Sequence, residues 1–373
     1  MRRAALVVPA ALAVLALPNL SSAAPRVQAA AWYVVGEDGA VVAAHDPRTL
    51  RAMASITKLM TAIVTLEHAQ LSNVVTVDPR AARIGESTVF LQAGQRLTVQ
   101  QLLASALVKS ANDAAEALAL YVGRGSESRF VALMNAKARA LGLTDTHYVN
   151  PHGLDAPGHV SSARDTTHLL RYALGIPFLR ELLGSSKVVV PGDGTFETTD
   201  DLLRGWAPLL GGKTGHTANA GWSETAAAKE HGITVYGTVL GSRNEQTRNE
   251  ALETLLRYGI DRYRRVVAID PRRVYAQAST GYGKPAVALV AAQEAVRTLP
   301  ERTPLVERIL APPSVKLPVR EGQPLGSIRV YAGHQLVAAA NLVAASTVSK
   351  PGLLGRVVWY TKRTAHHLWG IVT

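Results

Sequence analysis

The sequence predicts an α/β (α+β) catalytic domain, then a small β-rich domain, then a terminal amphipathic helix. Three observations carry this expectation. From residue 31 to about 263, runs with helical apolar spacing are interleaved with short strand-like runs. After Tyr263, short apolar stretches alternate with Pro and Gly, the texture of a small sheet. After Lys350-Pro351-Gly352, apolar residues return on one helical face. The expected division is 1–30 for a leader, 31–263, 264–350 and 351–373.

Composition narrows the classes. With 47% hydrophobic residues, the 373-residue chain can bury a large core. It has no cysteine, which excludes disulfides, thiol catalysis and cysteine metal sites. A formal charge of +12 predicts attraction to polyanions such as anionic lipid or acidic wall polymers. Nucleic acid is not expected as a partner, because there is no nucleic-acid motif and only 5% aromatic residues are available for base stacking.

Arg2 and Arg3 precede an apolar run over 4–17, and small residues follow. This is the pattern of a secretory signal, with cleavage expected between about 23 and 30; the run is short for a spanning helix. The mature protein is therefore expected outside the cytoplasmic membrane, in the periplasm or on the membrane's outer face. Residues 32–35 and 41–44, split by Glu37-Asp38-Gly39, read as a hairpin.

Ser55-Ile56-Thr57-Lys58 then opens a run in which Ile56, Leu59, Met60, Ile63 and Val64 recur at helical spacing. Residues three apart share a helix face, so Lys58 brings its amine beside the Ser55 hydroxyl. A serine needs a base to become a nucleophile, and a lysine is one when burial or a second cation keeps it neutral. The helix N-terminus adds partial positive charge where an oxyanion would form. The plainer alternative is a capping serine followed by a surface lysine.

Residues 74–77 read as a short strand and 78–94 as a loop-rich segment. Thr98 and Gln101 form a capping box for a helix to about 108. Ser110-Ala111-Asn112 falls on the turn before a second helix beginning at Asp113, where a hydroxyl and an amide both point into a cleft. Helix capping is the competing reading. Residues 126–141 form a further amphipathic helix, and Asp165 is expected to cap another, running to about 174. Between them, Asn150-Pro151-His152-Gly153 marks an ordered loop. His147 and His152 have no acidic or histidine partner at ligand spacing in the sequence, so structural hydrogen bonding is expected rather than a metal.

Lys213-Thr214-Gly215 should begin an edge strand, with 220–228 and 233–240 as its neighbours. Such an edge offers backbone groups to an extended peptide. Lys213 and Thr214 offer charge and a hydroxyl for a carboxylate, and Gly215 would let substrate approach the backbone. Ser242-Arg243-Asn244 repeats the Ser-x-Asn form but follows a strand and reads as a turn. A helix over 245–258 carries Arg248 in its first turn, where a cation opposes the dipole and a role in holding an anion is expected.

In the β-rich region, strands are expected at 274–276, 286–290, 305–310, 315–318, 327–331 and 336–343. In the last stretch, Leu354, Val357, Val358, Thr361, Ala365, Leu368, Trp369 and Val372 fall on one face, and Arg356, Lys362, Arg363, His366 and His367 on the other. This predicts a basic helix lying on a membrane rather than crossing it.

The three short motifs stand in the order shared by penicillin-binding proteins and class A β-lactamases, the middle one in the looser Ser-x-Asn form. Across residues 54–62, 110–119, 130–143, 150–155, 162–165, 211–217 and 239–241, the chain resembles the low-molecular-mass penicillin-binding proteins of the D-alanyl-D-alanine carboxypeptidase family. The likeness covers nearly the whole chain. It implies a catalytic domain of the serine β-lactamase type, with an antiparallel sheet between helical layers. It implies removal of the terminal D-alanine from peptidoglycan stem pentapeptides through an acyl-enzyme on Ser55, covalent binding of β-lactam antibiotics, a part in cell-wall maturation and shape, and no cofactor or metal. It implies Lys58 as the base, Ser110 as a proton relay and Asn112 on the substrate amide. Lys213, Thr214 and Arg248 would meet the terminal carboxylate, and the backbone N–H groups of Ser55 and His216 would form the oxyanion hole. One departure is Asp200-Asp201-Leu202-Leu203, where the family often has Asn.

Three other readings compete. A class A β-lactamase uses a deacylating glutamate with an Asn four residues on, between the second and third motifs. Glu116, Glu127, Glu181 and Glu197 lack that Asn, and Glu245 with Asn249 comes after Lys213. A D,D-endopeptidase acting on cross-links would use the same residues. A non-catalytic wall-binding scaffold would not need Ser55, Lys58, Ser110, Asn112 and Lys213 intact.

Overall fold

The structure, a computed structural model, describes residues 25–190 and 194–372. The leader assigned to the first residues lies mostly outside them. The fold nevertheless starts before residue 31: Val27 and Ala29 pack on the core, and the Ala30 N–H donates to Leu240 O at 2.9 Å.

The expected hairpin is β1 (Ala31–Gly36) and β2 (Val41–His45), antiparallel with Trp32 opposite His45. A 3-10 turn, Ala54–Thr57, runs directly into α1 (Lys58–His68). Next come β3 (Val74–Thr76), its partner β4 (Arg96–Thr98), and α2 (Val99–Val108), closed by the reciprocal Thr98–Gln101 capping box. The helices α3 (Asn112–Val122), α4 (Glu127–Ala140) and α5 (Ala163–Leu174) follow. Ser162, not Asp165, caps α5: its hydroxyl accepts the Asp165 N–H. Asp165 sits fully buried in the first turn, and its carboxylate instead accepts from the Asp145 N–H and the Thr146 hydroxyl.

Four short elements had no sequence expectation: α6 (Pro177–Leu183), the hairpin β5 (Lys187–Val190) with β6 (Gly194–Glu197), and α7 (Asp201–Gly205). Then come β7 (Leu209–Thr217), β8 (Gly221–Glu230), β9 (Ile233–Ser242) and α8 (Glu245–Ile260). Ser242-Arg243-Asn244 is the junction between the last two, and Asn244 caps α8.

One antiparallel sheet, in the order β2-β1-β9-β8-β7, organises this part. Every residue of β1 is buried because both faces are covered. The strand period of two sends Tyr33 and Val35 to a core with Ile56, Leu59, Leu102 and Leu118, and sends Trp32 and Val34 to a core with Leu252, Leu255 and Leu256 of α8. The sheet between helical layers is the expected one. β7 is an edge strand, as expected, but it begins at Leu209, so Lys213-Thr214-Gly215 lies mid-strand.

Beyond α8, β10 (Tyr263–Ile269) pairs with β13 (Ala295–Pro300). A second five-stranded sheet is built from β11 (Val274–Ala278), β12 (Val287–Ala291), β14 (Leu305–Leu310), β15 (Pro324–Ala332) and β16 (Gln335–Ala344). It encloses its own core around Ile269, Leu289, Ile328 and Leu342. Residues 315–318 are not a strand. Pro312, Pro313 and Pro318 remove N–H donors around them, and only single bridges form at Ser314 and Val319.

The last element is α9 (Leu353–Val372). Leu354, Val357 and Val358 of its predicted apolar face are exposed, while Trp359 packs on Tyr282 with ring centroids 5.3 Å apart. Lys362, Arg363 and the face residues from Ala365 onward lie outside the described side chains. Among the described residues, no helix is long and apolar enough to cross a membrane.

Leu252 is fully buried between α8 and the sheet. Leu252→Ala should cost about 2–5 kcal/mol of stability, read by denaturant unfolding of the whole protein.

Candidate active site

Ser55 sits in the 3-10 turn at the head of α1, after a strained residue. Ala54 has φ of +48°, a region that non-glycine residues rarely adopt. A chain of hydrogen bonds holds it there. Val149 N–H donates to His159 Nδ1 at 3.0 Å, which leaves the ring proton on Nε2. That nitrogen lies 2.7 Å from Thr57 Oγ1, whose own hydroxyl donates to Ala54 O at 2.7 Å. Burial pushes His159 down to about 4, so the ring stays neutral. Gly153, at φ +95°, presses on the same carbonyl: a Cβ there would lie 2.0 Å from Ala54 O.

Lys58 is fully buried. Its Nζ is 2.8 Å from Ser55 Oγ, 2.7 Å from Asn112 Oδ1 and 2.7 Å from His152 O. Burial, then the charge of Lys213, holds its pKa well below the ordinary lysine range, against Asp113 and Glu86. All three partners can accept a hydrogen from the amine, and in its neutral form it would donate to Asn112 Oδ1 and His152 O and take the Ser55 O–H on its lone pair. The His152 carbonyl is delivered by the 150–154 loop, which Asn150 ties together through Gly153 N–H and Leu154 O.

Ser110 occupies the turn between α2 and α3 at φ +65°. Lys213 Nζ donates to Ser110 Oγ at 2.9 Å and to Thr214 O at 3.0 Å. Burial lowers Lys213 to about 7, against the raising charges of Asp200 and Glu224. Asn112 is fixed from its other side by donating Nδ2–H to Gly85 O and its backbone N–H to Ser87 O. The neighbouring Asp113 carboxylate accepts the N–H groups of Val89 and Leu91. The 85–91 loop is thereby bound to the head of α3.

Thr214, Gly215, His216 and Arg248 line one open cleft with Ser55 and Ser110, so all nine predicted residues converge. Thr199 Oγ1 lies 2.8 Å from Thr214 Oγ1. His216 packs against Trp222 with centroids 4.3 Å apart and the rings tilted by 34°. Arg248 is almost wholly buried, 2.9 Å from Glu224 and 3.3 Å from Glu245, and both its Nε and Nη2 donate to Asn249 Oδ1. Glycine at 215 also serves the protein's own packing. A Cβ there would lie 2.8 Å from Met53 O and 3.1 Å from Ser55 N, so the residue makes room for the turn that carries Ser55.

A serine joined to a buried amine of lowered proton affinity, beside a second lysine on a strand edge, suits acyl transfer chemically. The model of the D-alanyl-D-alanine carboxypeptidase family (peptidase S11) matches residues 19–244. The chain belongs to this family. It is similar to the D-alanyl-D-alanine carboxypeptidase DacD of Salmonella typhimurium, 31% identical over 361 residues, covering 91% of this chain and 92% of that protein. It is also similar to DacC of Escherichia coli K12, 30% identical over 368 residues, covering 93% and 90%. Among solved structures, penicillin-binding protein 6B of Escherichia coli matches with a TM-score of 0.66 at 28% identity, covering 87% of this chain and 98% of that one. The Mycobacterium tuberculosis D-alanyl-D-alanine carboxypeptidase matches with a TM-score of 0.61 at 30% identity, over 65% and 95%. As a member of the family, the protein is a serine-type D-alanyl-D-alanine carboxypeptidase of peptidoglycan metabolism.

Sequence reasoning missed several residues at the site. The His152 carbonyl could not be seen, because a backbone group has no letter of its own. Glu224 had a signal, an acid inside an Ala- and Thr-rich strand, where a buried charge demands a partner. The fold also brings Glu116 and Glu127 to within 4.8 Å of His152, so acidic partners do meet this histidine. They do not make a cation site with it. His152 Nδ1 accepts the Leu154 N–H, so its proton is on Nε2 and neither nitrogen has a free lone pair.

Gly153→Ala has to displace the Ala54 carbonyl. It should slow the reaction of the protein with a chromogenic β-lactam by about a hundredfold, measured by stopped flow, while far-ultraviolet circular dichroism stays that of the parent.

Proposed function

We propose that Ser55 is the nucleophile and Lys58 its base. The Lys58 lone pair takes the Ser55 proton as Oγ attacks the carbonyl of the penultimate D-alanine. The C–N bond then breaks, the proton passes to the departing D-alanine amine, and an ester remains on Ser55. Water enters, the ester is hydrolysed, and Ser55 regains its proton. The observation that carries this reading is the pairing of Lys58 Nζ with Ser55 Oγ at 2.8 Å in a site that disfavours the charged amine. Ser110, held by Lys213, is the group through which a proton reaches the leaving amine. Asn112 orients the substrate amide. The backbone N–H groups of Ser55 and His216 receive the oxyanion. Lys213, Thr214 and Arg248 hold the terminal carboxylate, a role that suits cations on one wall of the cleft.

The substrate is the pentapeptide stem of peptidoglycan, and β-lactams acylate the same serine. The chain divides into a leader, a catalytic domain to about 263, a β-rich domain to about 350 and a surface-lying helix. Contacts of Val27, Ala29 and Ala30 favour leader cleavage near Ala23, the early end of the expected range. The exposed Leu354, Val357 and Val358 support attachment of α9 to the outer surface of the cytoplasmic membrane.

Purified mature protein should label covalently with fluorescent penicillin on a denaturing gel, and Ser55→Ala should not. A folded parent that stays unlabelled would overturn the acyl-enzyme. Deleting the residues after Pro351 should release the protein from sedimented membranes with D-alanine release retained. A truncated form that still sediments with membrane would overturn the anchor.

A further inference from the structure

Behind the cationic wall of the cleft lie two carboxyl groups that the proposed chemistry does not use. Asp200 caps α7 and Glu224 is on β8, and they are 3% and 0% exposed. Asp200 Oδ1 accepts the Leu203 N–H at 2.9 Å. Its Oδ2 meets no hydrogen-bond donor among the described residues, and neither does either oxygen of Glu224. Arg248 Nε is 2.9 Å from Glu224 Oε2, but its N–H is aimed at Asn249 Oδ1, so the contact is one of charge alone. Thr199 Oγ1 bonds Thr214 Oγ1, and Thr214 stands opposite Glu224 across β7 and β8, so the cap of α7 brings the Asp200 carboxyl beside that of Glu224. Two buried carboxylates face to face, with three oxygens lacking donors, would be strongly unfavourable. A single proton between them supplies the missing donor.

We propose that Asp200 and Glu224 share one proton and act as a positioning pair for the substrate's carboxylate, setting one negative charge rather than two behind Lys213 and Arg248. The inference rests on the reading of those two cations as the carboxylate's partners. Neither acid touches the substrate; they act through the cations.

The charged groups facing the pair are Lys213 from β7 and Arg248 from α8. From β9 the partner of Glu224 is the apolar Val239. Glu245 of α8 pairs with Arg248 from a more exposed position, and Asp201 and Arg204 of α7 pair with each other at the surface. Burial, and for Glu224 also the charge of Asp200, pushes both acids up, against the pull of Arg248 and Lys213. With the proton in place, two cations face one anion and the wall attracts a carboxylate. With the proton lost, the charges cancel and the attraction falls.

The test is the pH dependence of D-alanine release from a synthetic peptide ending in D-alanyl-D-alanine, with infrared difference spectra of parent minus variant at neutral pH. In the parent, KM rises through two ionisations, that of Lys213 and that of the pair. Glu224→Gln and Asp200→Asn should each keep the first and lose the second, so that KM on the alkaline side is about tenfold below the parent's. The kcat profile should keep the ionisation of Lys58. The difference spectra should carry a protonated-carboxyl band. Asn caps a helix as well as Asp does, so Asp200→Asn carries the test if Glu224→Gln fails to fold. Unchanged KM profiles, or spectra without the band, would overturn the shared proton. Arg248→Ala separates the two readings: an unchanged KM there would remove the carboxylate role of the cations, while the infrared band still reports the proton.

Discussion

The sealing of one amine from water governs this structure. Lys58 has no solvent to turn to, so its hydrogens must find protein acceptors. The acceptors come from places far apart in the chain, Asn112 and the carbonyl of His152, 54 and 94 residues away. To bring them together, α3 must begin beside the head of α1, and the 150–154 loop must close over both. Much of the irregular backbone near the cleft exists to satisfy that one group. Its low proton affinity follows from the same enclosure, and so does its suitability as the proposed base.

The strain in the site lies where these segments meet. Ala54 and Ser110 both stand at positive φ, and each comes next to or at a hydroxyl that the proposed chemistry needs. Such conformations cost of order 1–3 kcal/mol each and persist only where the surroundings over-determine them. Here the surroundings are visible. Thr57, His159 and Gly153 fix Ala54, and Lys213 with the 85–91 loop flanks the turn of Ser110. Gly215 belongs to the same arrangement, since its lack of a side chain lets the edge strand lie against the turn that carries Ser55.

Much of this was legible in the chain. The spacing of Ile56, Leu59, Met60 and Ile63 gave α1, the Thr98–Gln101 pair gave the start of α2, and the change of texture after Tyr263 gave the second sheet. The convergence of the site side chains was legible because serine, lysine and asparagine at fixed short spacings have few other uses together. What escaped was of two kinds. Short elements such as α6, α7 and the β5–β6 hairpin take their form from tertiary contacts and carry too few residues for a period to emerge. Contacts made by backbone or across strands, such as the His152 carbonyl and the meeting of Asp200 with Glu224, depend on topology that no local pattern encodes. The misplaced cap at Asp165 and the false strand at 315–318 are errors of local reading. Ser162 stands three residues before the acid, and the prolines on both sides of the false strand were underweighted.

The reactive group is assembled from three distant pieces, and this has a consequence for the timing of synthesis. Ser110 and Lys213 are 103 residues apart, and Lys213 adds to the burial that lowers the proton affinity of Lys58. A growing chain that ends before β7 lacks Lys213, so the surroundings proposed to activate Ser55 are complete only once β7 has been made and has paired with β8.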